Sequence, residues 1–316
     1  MAKKQNPTSH EHFVSVGYLN AFAKNNTDSH AKNKKKRDQY IYQYNLKNHQ
    51  ASNDAVPIKS ICYIDDLYEP KDDCGNYVAR NYSELSLKGI EDAFYKVRNS
   101  IIGRQNVVNF NKTGFLTSLE HGILCLMIAT QILRHPTVLG PSKELSHSVF
   151  ADTDLKPHQK ELLAHLYCLP MWNLISEQET SPELLAVKRL SENPPLLMDL
   201  CNKLLKLNIR IGYCSKKQIF TCDQPVYTAG EQQGFNIKNV IYPISPQLVV
   251  FLYEPIFDIK NHNNEIILLS NNLISYVNEC IVLSAKEWIY NYDAFSDKQR
   301  SFIIQARSHR SYDFNK

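Results

Sequence analysis

From Ser83 onward the apolar positions recur with a helical period. Ile90, Phe94, Val97 and Ile101 fall at i, i+4, i+7 and i+11, which is one face of an α-helix. The next apolar block opens at Thr117, with Glu120 at capping-box spacing, and runs almost unbroken to Leu133 before Pro136 stops it. A segment apolar on nearly every side belongs in the interior, so this helix is predicted at the centre of the core. Further helices are predicted at about 156–168, 182–191 and 195–207, punctuated by Pro170, Pro182 and Pro194-Pro195.

Elsewhere the period is two. Gln39-Tyr-Ile-Tyr-Gln-Tyr44 reads as an edge strand, and Ile58–Ile64 as a second strand-like piece ending in the acidic turn Asp65-Asp66. Ile209–Cys214 and Gln218–Cys222 flank Ser215-Lys216-Lys217 as a hairpin, and Val240–Pro243 and Gln247–Tyr253 add two strands. Helices are predicted near 270–291 and 296–307, the second opened by Ser296 with Gln299 at capping-box spacing. The layout is α+β: a mostly helical core with a small antiparallel sheet built from the 209–253 region, which N-terminal strands are free to join. With no internal repeat and no long Gly/Pro/Ser linker, residues 1–316 read as a single α+β domain with a polar, basic loop at about 24–53.

Charge sharpens that last point. The net charge is +4, but residues 1–50 hold nine Lys/Arg against three Asp/Glu, so the remaining 266 residues sum to −2. The basic character is concentrated at Lys32, Lys34, Lys35, Lys36 and Arg37. The eight cysteines lie far apart and form no CxxC pair, and Cys125, Cys168, Cys201 and Cys280 sit in apolar runs. No signal peptide is visible, and the longest apolar run, Ile123–Leu133, is about half a membrane span. Reduced thiols, a cytoplasmic address and no membrane partner are the expectation.

Five polar residues set into apolar segments carry the candidate chemistry: His12, Glu91, Gln131, Arg134 and Asp223. Ionisable groups are rarely buried unless they are paired or working. At 100° per residue, Gln131 lies about 20° from Glu120, and Arg134 about 40° on its other side, so the three share one stripe. An arginine there suits bidentate capture of carboxylate or phosphate; a solvent-facing stripe or a buried Glu–Arg pair is the bland equivalent. Glu91, Tyr95 and Arg98 form a second stripe, which on a boundary helix is more often a set of surface pairs. His12 is a hydrogen-bonded core residue or a base. His10 is expected to face the other way, some 200° round if the segment is helical, so His10-x-His12 is not read as a metal claw. Asp223 ends a strand before Gln224-Pro225, where an active-site acid or a self-capping turn residue is equally common. Asp65, Asp66 and Glu69 are oxygen ligands for a divalent ion or simply a solvated turn.

The nucleotide-binding glycine loops, the serine nucleophile elbow and the HExxH zinc motif are missing. The Lys34–Arg37 run reads as a solvated loop more readily than a phosphate contact, with no aromatic-basic alternation beside it.

Several segments resemble a bacterial family of unknown function, number 4238. That family's opening His segment followed by Tyr-Leu-x-x-Phe is similar to His12-Phe-Val-Ser15 and Tyr18-Leu19-Asn-Ala-Phe22. Gly89-Ile-Glu91, Gln131-Ile-Leu-Arg134-His-Pro136, Asp223-Gln-Pro225 and Pro243-Ile-Ser-Pro246 follow in the family's order. One departure is Ser15, where the family usually has proline. The resemblance supports the choice of residues and implies no reaction.

Two functions compete. One is a phosphodiester or nucleotide hydrolase, nuclease-like and suited to a phage-defence effector. His12 would be its acid or base, Glu91 and Asp223 its water-activating or metal-holding carboxylates (Mg or Mn), Arg134 its phosphoryl clamp and Gln131 its orienting amide. A nucleic acid or nucleotide would then be the partner. The other is a non-catalytic binding or interaction protein in which the same residues form a structural network.

Overall fold

The computed structural model describes residues 10–25, 39–69, 71, 74–77, 82–104, 110, 113–161, 195–231, 236–255 and 263–313. In chain order the strands are β1 (His10–His12), β2 (Lys24–Asn25), β3 (Gln39–Asn45), β4 (Gln50–Ala51), β5 (Val56–Pro57) and β6 (Tyr63–Asp65). They continue with β7 (Asn208–Tyr213), β8 (Thr221–Cys222), β9 (Tyr227–Glu231), β10 (Asn236–Ser245), β11 (Leu248–Tyr253), β12 (Glu265–Leu268) and β13 (Trp288–Asn291). The helices are α1 (Val16–Leu19), α2 (Tyr82–Arg104), α3 (Ser118–Leu133), α4 (Pro136–Val149), α5 (Pro195–Leu205), α6 (Asn271–Ser284) and α7 (Asp297–Asp313). The class is α+β. The chain divides into two compact units, Met1–Phe13, Tyr63–Phe94 and Gly122–Lys203 in one and Val14–Cys62, Tyr95–His121 and Leu204–Lys316 in the other.

The first unit is largely helical. Its sheet is the antiparallel β1–β6 ladder, with His10 opposite Asp65 and His12 opposite Tyr63. The part of α3 it contains buries Leu124, Cys125, Met127, Ile128, Ala129 and Leu133, as an all-round apolar helix should. The predicted end at Pro136 is a corner: α3 stops at Leu133 and α4 starts with Pro136 in its first turn. Together α3 and α4 have the length and composition of a span but bend by 66°, and no single described helix is long and apolar enough to cross a membrane. The helix predicted at 182–191, and the part of 156–168 beyond residue 161, lie outside the described residues, as do Cys168 and the Lys32–Arg37 run.

The second unit holds two sheets. One runs β12-β7-β11-β10-β9 and is mixed, because β12 pairs parallel with β7. The other runs β2-β3-β13-β8, with β4 and β5 also on β3. α6 packs Ile274, Val277 and Cys280 with residues of the first sheet and Ile281 and Val282 with residues of the second. Asn278 on the same helix accepts from Phe220 N–H and donates to Gln218 C=O, both at 2.9 Å, so a side chain completes the backbone pairing of that crossover segment. Both expected capping boxes form: Thr117 with Glu120, and Ser296 with Gln299.

Four strand expectations need correction. β7 and β8 make no hairpin, because Gln218 and Ile219 donate to Pro246 C=O and the chain passes from one sheet to the other. The N-terminal strand Gln39–Asn45 is interior, flanked by β2, β13, β4 and β5, and joins the second sheet instead of the 209–253 one. Residues 288–291 are strand, not helix: Asp223 caps the turn that ends α6. Ile58–Ile64 is broken by a 3-10 turn at Ile58–Ser60.

Candidate functional site

Arg134 organises the first unit. It is 1% exposed, and all three guanidinium nitrogens are used. One terminal nitrogen donates to Glu91 Oε1 at 2.6 Å, the other to the His12 carbonyl, and Nε to the Tyr68 hydroxyl at 3.3 Å. Tyr68 in turn donates to the Arg134 carbonyl, also at 3.3 Å. Burial alone works against the charge, but Tyr68 and Glu91 outweigh it and hold the guanidinium pKa above its ordinary value. One turn earlier on α3, Gln131 Nε2 donates to the Phe13 carbonyl at 2.8 Å. Arg134 and Gln131 therefore hold two consecutive carbonyls of the segment that carries His12.

That segment reaches the core through Glu11, which is fully buried and accepts the Tyr68 N–H. Its neighbours alternate outward, as a strand requires. His10 pairs with Asp65, its ring 4.3 Å from that of Tyr63; the half-buried His12 ring lies 5.8 Å from the same tyrosine. The expectation that His10 faces away from His12 is thus wrong. The segment is a strand, and residues two apart on a strand share a face. Phe13 meets the buried ring of His135 edge-on at 5.3 Å.

Tyr95 and Arg98 of the second polar stripe serve the following residues, inside the second unit. Tyr95 bonds Ser15, and Arg98 donates to Gly17 C=O at 2.9 Å with its guanidinium over the Tyr95 ring. A Cβ at Gly17 would overlap that ring, so glycine is needed there. Tyr18, buried, bonds Thr221 and the Pro243 carbonyl at 2.8 Å each and stacks on Tyr242. Glu120 takes no part in the Arg134 network; it pairs with Arg104 at 2.7 Å and caps its own helix.

Asp223 also lies in the second unit, where its carboxylate accepts three successive N–H groups, Lys286, Glu287 and Trp288, at 2.8–3.1 Å. Burial raises its pKa, and the three N–H donors only partly offset that. The structure thus gathers Glu91, Gln131, Arg134 and the backbone of His12 around one point in the first unit, and uses Asp223 as a local staple in the second. Among the described residues no group of three or more His, Cys, Asp or Glu side chains is placed to hold a metal ion. Glu91 is engaged by Arg134 and Asp223 by amides; Asp65 pairs with His10, and Asp66 with Lys71 and Tyr77.

Sequence reasoning missed Glu11 and Tyr68, set His10 aside, and read Asp65 as a metal ligand or a solvated turn residue instead of the partner of His10. Strand alternation around His12 would have turned Glu11 inward and His10 beside His12. Tyr68 carries no signal, because its role comes from a fold contact. Neither a curated protein nor a solved structure matches the chain. One family model spans residues 10–295 and with them every segment of the resemblance, so the chain belongs to the family described as "Protein of unknown function (DUF4238)".

Proposed function

We propose that this chain is a phosphodiester or nucleotide hydrolase whose acid and base are the imidazoles of His12 and His10. The observation that carries the reading is the mounting of β1. A buried arginine and a buried glutamine hold the carbonyls of His12 and Phe13 at its end, while two imidazoles share its other, more open side. A buried ion pair is a poor way to gain stability alone, so its use on a histidine-bearing segment favours a positional role. One imidazole takes the proton from the attacking water or hydroxyl, and the other gives a proton to the leaving oxygen. Asp65 orients His10, and Glu91 aligns Arg134, which positions His12 and does not itself clamp phosphate. Asp223 stays outside the chemistry. A divalent ion (Mg or Mn) remains a proposal for the substrate's charge, with no step assigned to it.

The test is a panel of RNA, DNA and nucleotides, assayed with EDTA and with added Mg or Mn. Wild type should cleave at least one class. His12→Ala should lose about a hundredfold or more, as removal of a general acid or base does, and Asp223→Asn should keep most of the activity. Full activity in both His12→Ala and His10→Ala, or no cleavage by folded wild type, overturns the reading. A binding protein with a structural network is the second reading. It is favoured by one observation: every guanidinium nitrogen of Arg134 is already satisfied within the protein.

A further inference from the structure

Along the sheet order β2-β3-β13-β8, one strip of side chains sets two aromatic rings between two cations. Lys24 is on β2, Tyr42 on β3, Tyr292 directly follows β13, and Lys217 lies in the turn before β8. Pairing fixes their alignment: Lys24 is opposite Tyr40, Tyr42 opposite Asn291, and Tyr290 opposite Thr221. The Lys24 ammonium lies 5.9 Å from the Tyr42 ring centre and 4.9 Å from that of Tyr292, and the Lys217 ammonium 3.8 Å from Tyr292. Two ammonium groups thus converge on one ring. The carboxylate among them is Asp293, bound to Lys24, while Lys217 and its neighbour Lys216 stand exposed.

From this geometry we infer that the β2-β3-β13-β8 strip is a binding surface for single-stranded nucleic acid. Three strand spacings give it a length of roughly 14 Å, enough for a short stretch of backbone. The lysines at its two ends meet phosphates, and a phosphate that draws an ammonium off the Tyr292 ring leaves that face for a base; single strands offer both groups together, and rigid duplexes do not. An acidic protein surface would profit from the lysines but not from rings set between them. The grouping had no signature in the sequence because the four residues come from positions 24, 42, 217 and 292, and only the sheet order brings them together. The connection between β2 and β3 carries Lys32, Lys34, Lys35, Lys36 and Arg37 in sequence, but the strip stands without it.

The test uses the full chain and a fluorescein-labelled 12-nucleotide oligothymidylate, read by anisotropy at several salt concentrations. The matching duplex and polyglutamate serve as comparisons. The His12→Ala protein is measured alongside, so that cleavage does not obscure binding and the hydrolase reading can fail separately. Wild type should bind the single strand, more tightly than the duplex, with an affinity that falls as salt rises. Lys217→Glu should weaken binding about tenfold and flatten the salt slope by about 0.7 per lost phosphate contact. Tyr292→Ala should weaken it without changing the slope; if that variant does not fold, the exposed Lys217→Glu decides alone. Absence of binding overturns the inference. So does binding untouched by Lys217→Glu, which would place it elsewhere, or equal binding of duplex or polyglutamate, which would reduce the strip to a general charge effect.

Discussion

Arg134 draws its partners from chain positions 12, 68 and 91, three stretches far apart in sequence. Asp223 collects three consecutive N–H groups, 286 to 288, from a single turn. Both are buried ionisable residues, Asp223 satisfied by backbone N–H groups and Arg134 by two side chains and one carbonyl, and both stood out in the sequence for the same reason. Their work differs. Arg134 joins β1, α2, α3 and the segment after β6, so it is a tertiary clamp of the first unit. Asp223 closes the α6–β13 turn of the second unit and is a local cap. A buried charge marks where a fold needs polar satisfaction, and its reach in sequence tells whether the need is local or global.

The largest effect should come from the clamp. Arg134→Met keeps the volume and removes the charge, leaving the His12 carbonyl, the Tyr68 hydroxyl and Glu91 short of partners. Breaking a buried pair from one side costs about 3–5 kcal/mol. Denaturant unfolding should show that loss, and amide exchange should show lost protection on β1 and at Tyr68. Asp223→Asn should cost about 1–3 kcal/mol, because an amide of the same shape still accepts from part of the amide trio. Its exchange changes should stay at Lys286–Trp288. If Asp223→Asn costs more than Arg134→Met, the assignment of clamp and cap is reversed.

Tyr68→Phe sharpens the comparison inside the clamp. The hydroxyl accepts from Arg134 Nε and donates to Arg134 C=O, so its removal loosens both side chain and backbone at one residue. Both contacts are long at 3.3 Å, and the expected loss is about 1 kcal/mol, measured as a shift in denaturant midpoint. A loss as large as that of Arg134→Met would make the tyrosine, not the ion pair, the centre of the network.

The sequence shows some of this and hides the rest for physical reasons. Periodicity and capping boxes found α2, α3 and α7, since helices are encoded by neighbours within four residues. Apolar context exposed Gln131 and Arg134 as buried. Sheet membership was less accessible. The Ser215-Lys216-Lys217 turn looks like a hairpin until Gln218 and Ile219 commit their N–H groups to Pro246, and that contact has no local signature. The partner of Arg134 was equally hidden. Glu120 lies on its stripe, yet Arg104 claims Glu120, and Glu91 on another helix takes the guanidinium. Residue type predicts that a buried charge is paired, whereas topology chooses the partner.

The smallest expected effect concerns pH, and it separates the two charges by sign. Arg134 stays protonated throughout and contributes no slope in the acid range. Asp223 does contribute one, because burial holds its pKa above the ordinary carboxylate value in spite of three N–H donors. The folded protein therefore keeps this proton at a pH where the unfolded chain has released it. Stability from this group is fully present below the unfolded pKa and is lost as pH rises through the raised folded value. Asp223→Asn has no such term. Unfolding midpoints of wild type and Asp223→Asn, compared from about pH 7 down to about pH 4, should therefore shift in favour of wild type on acidification. A shift in the opposite direction would mean that the three N–H groups outweigh burial. Asp223 would then be a preorganised anion site in its own right, closer in kind to the charge that Arg134 meets in Glu91.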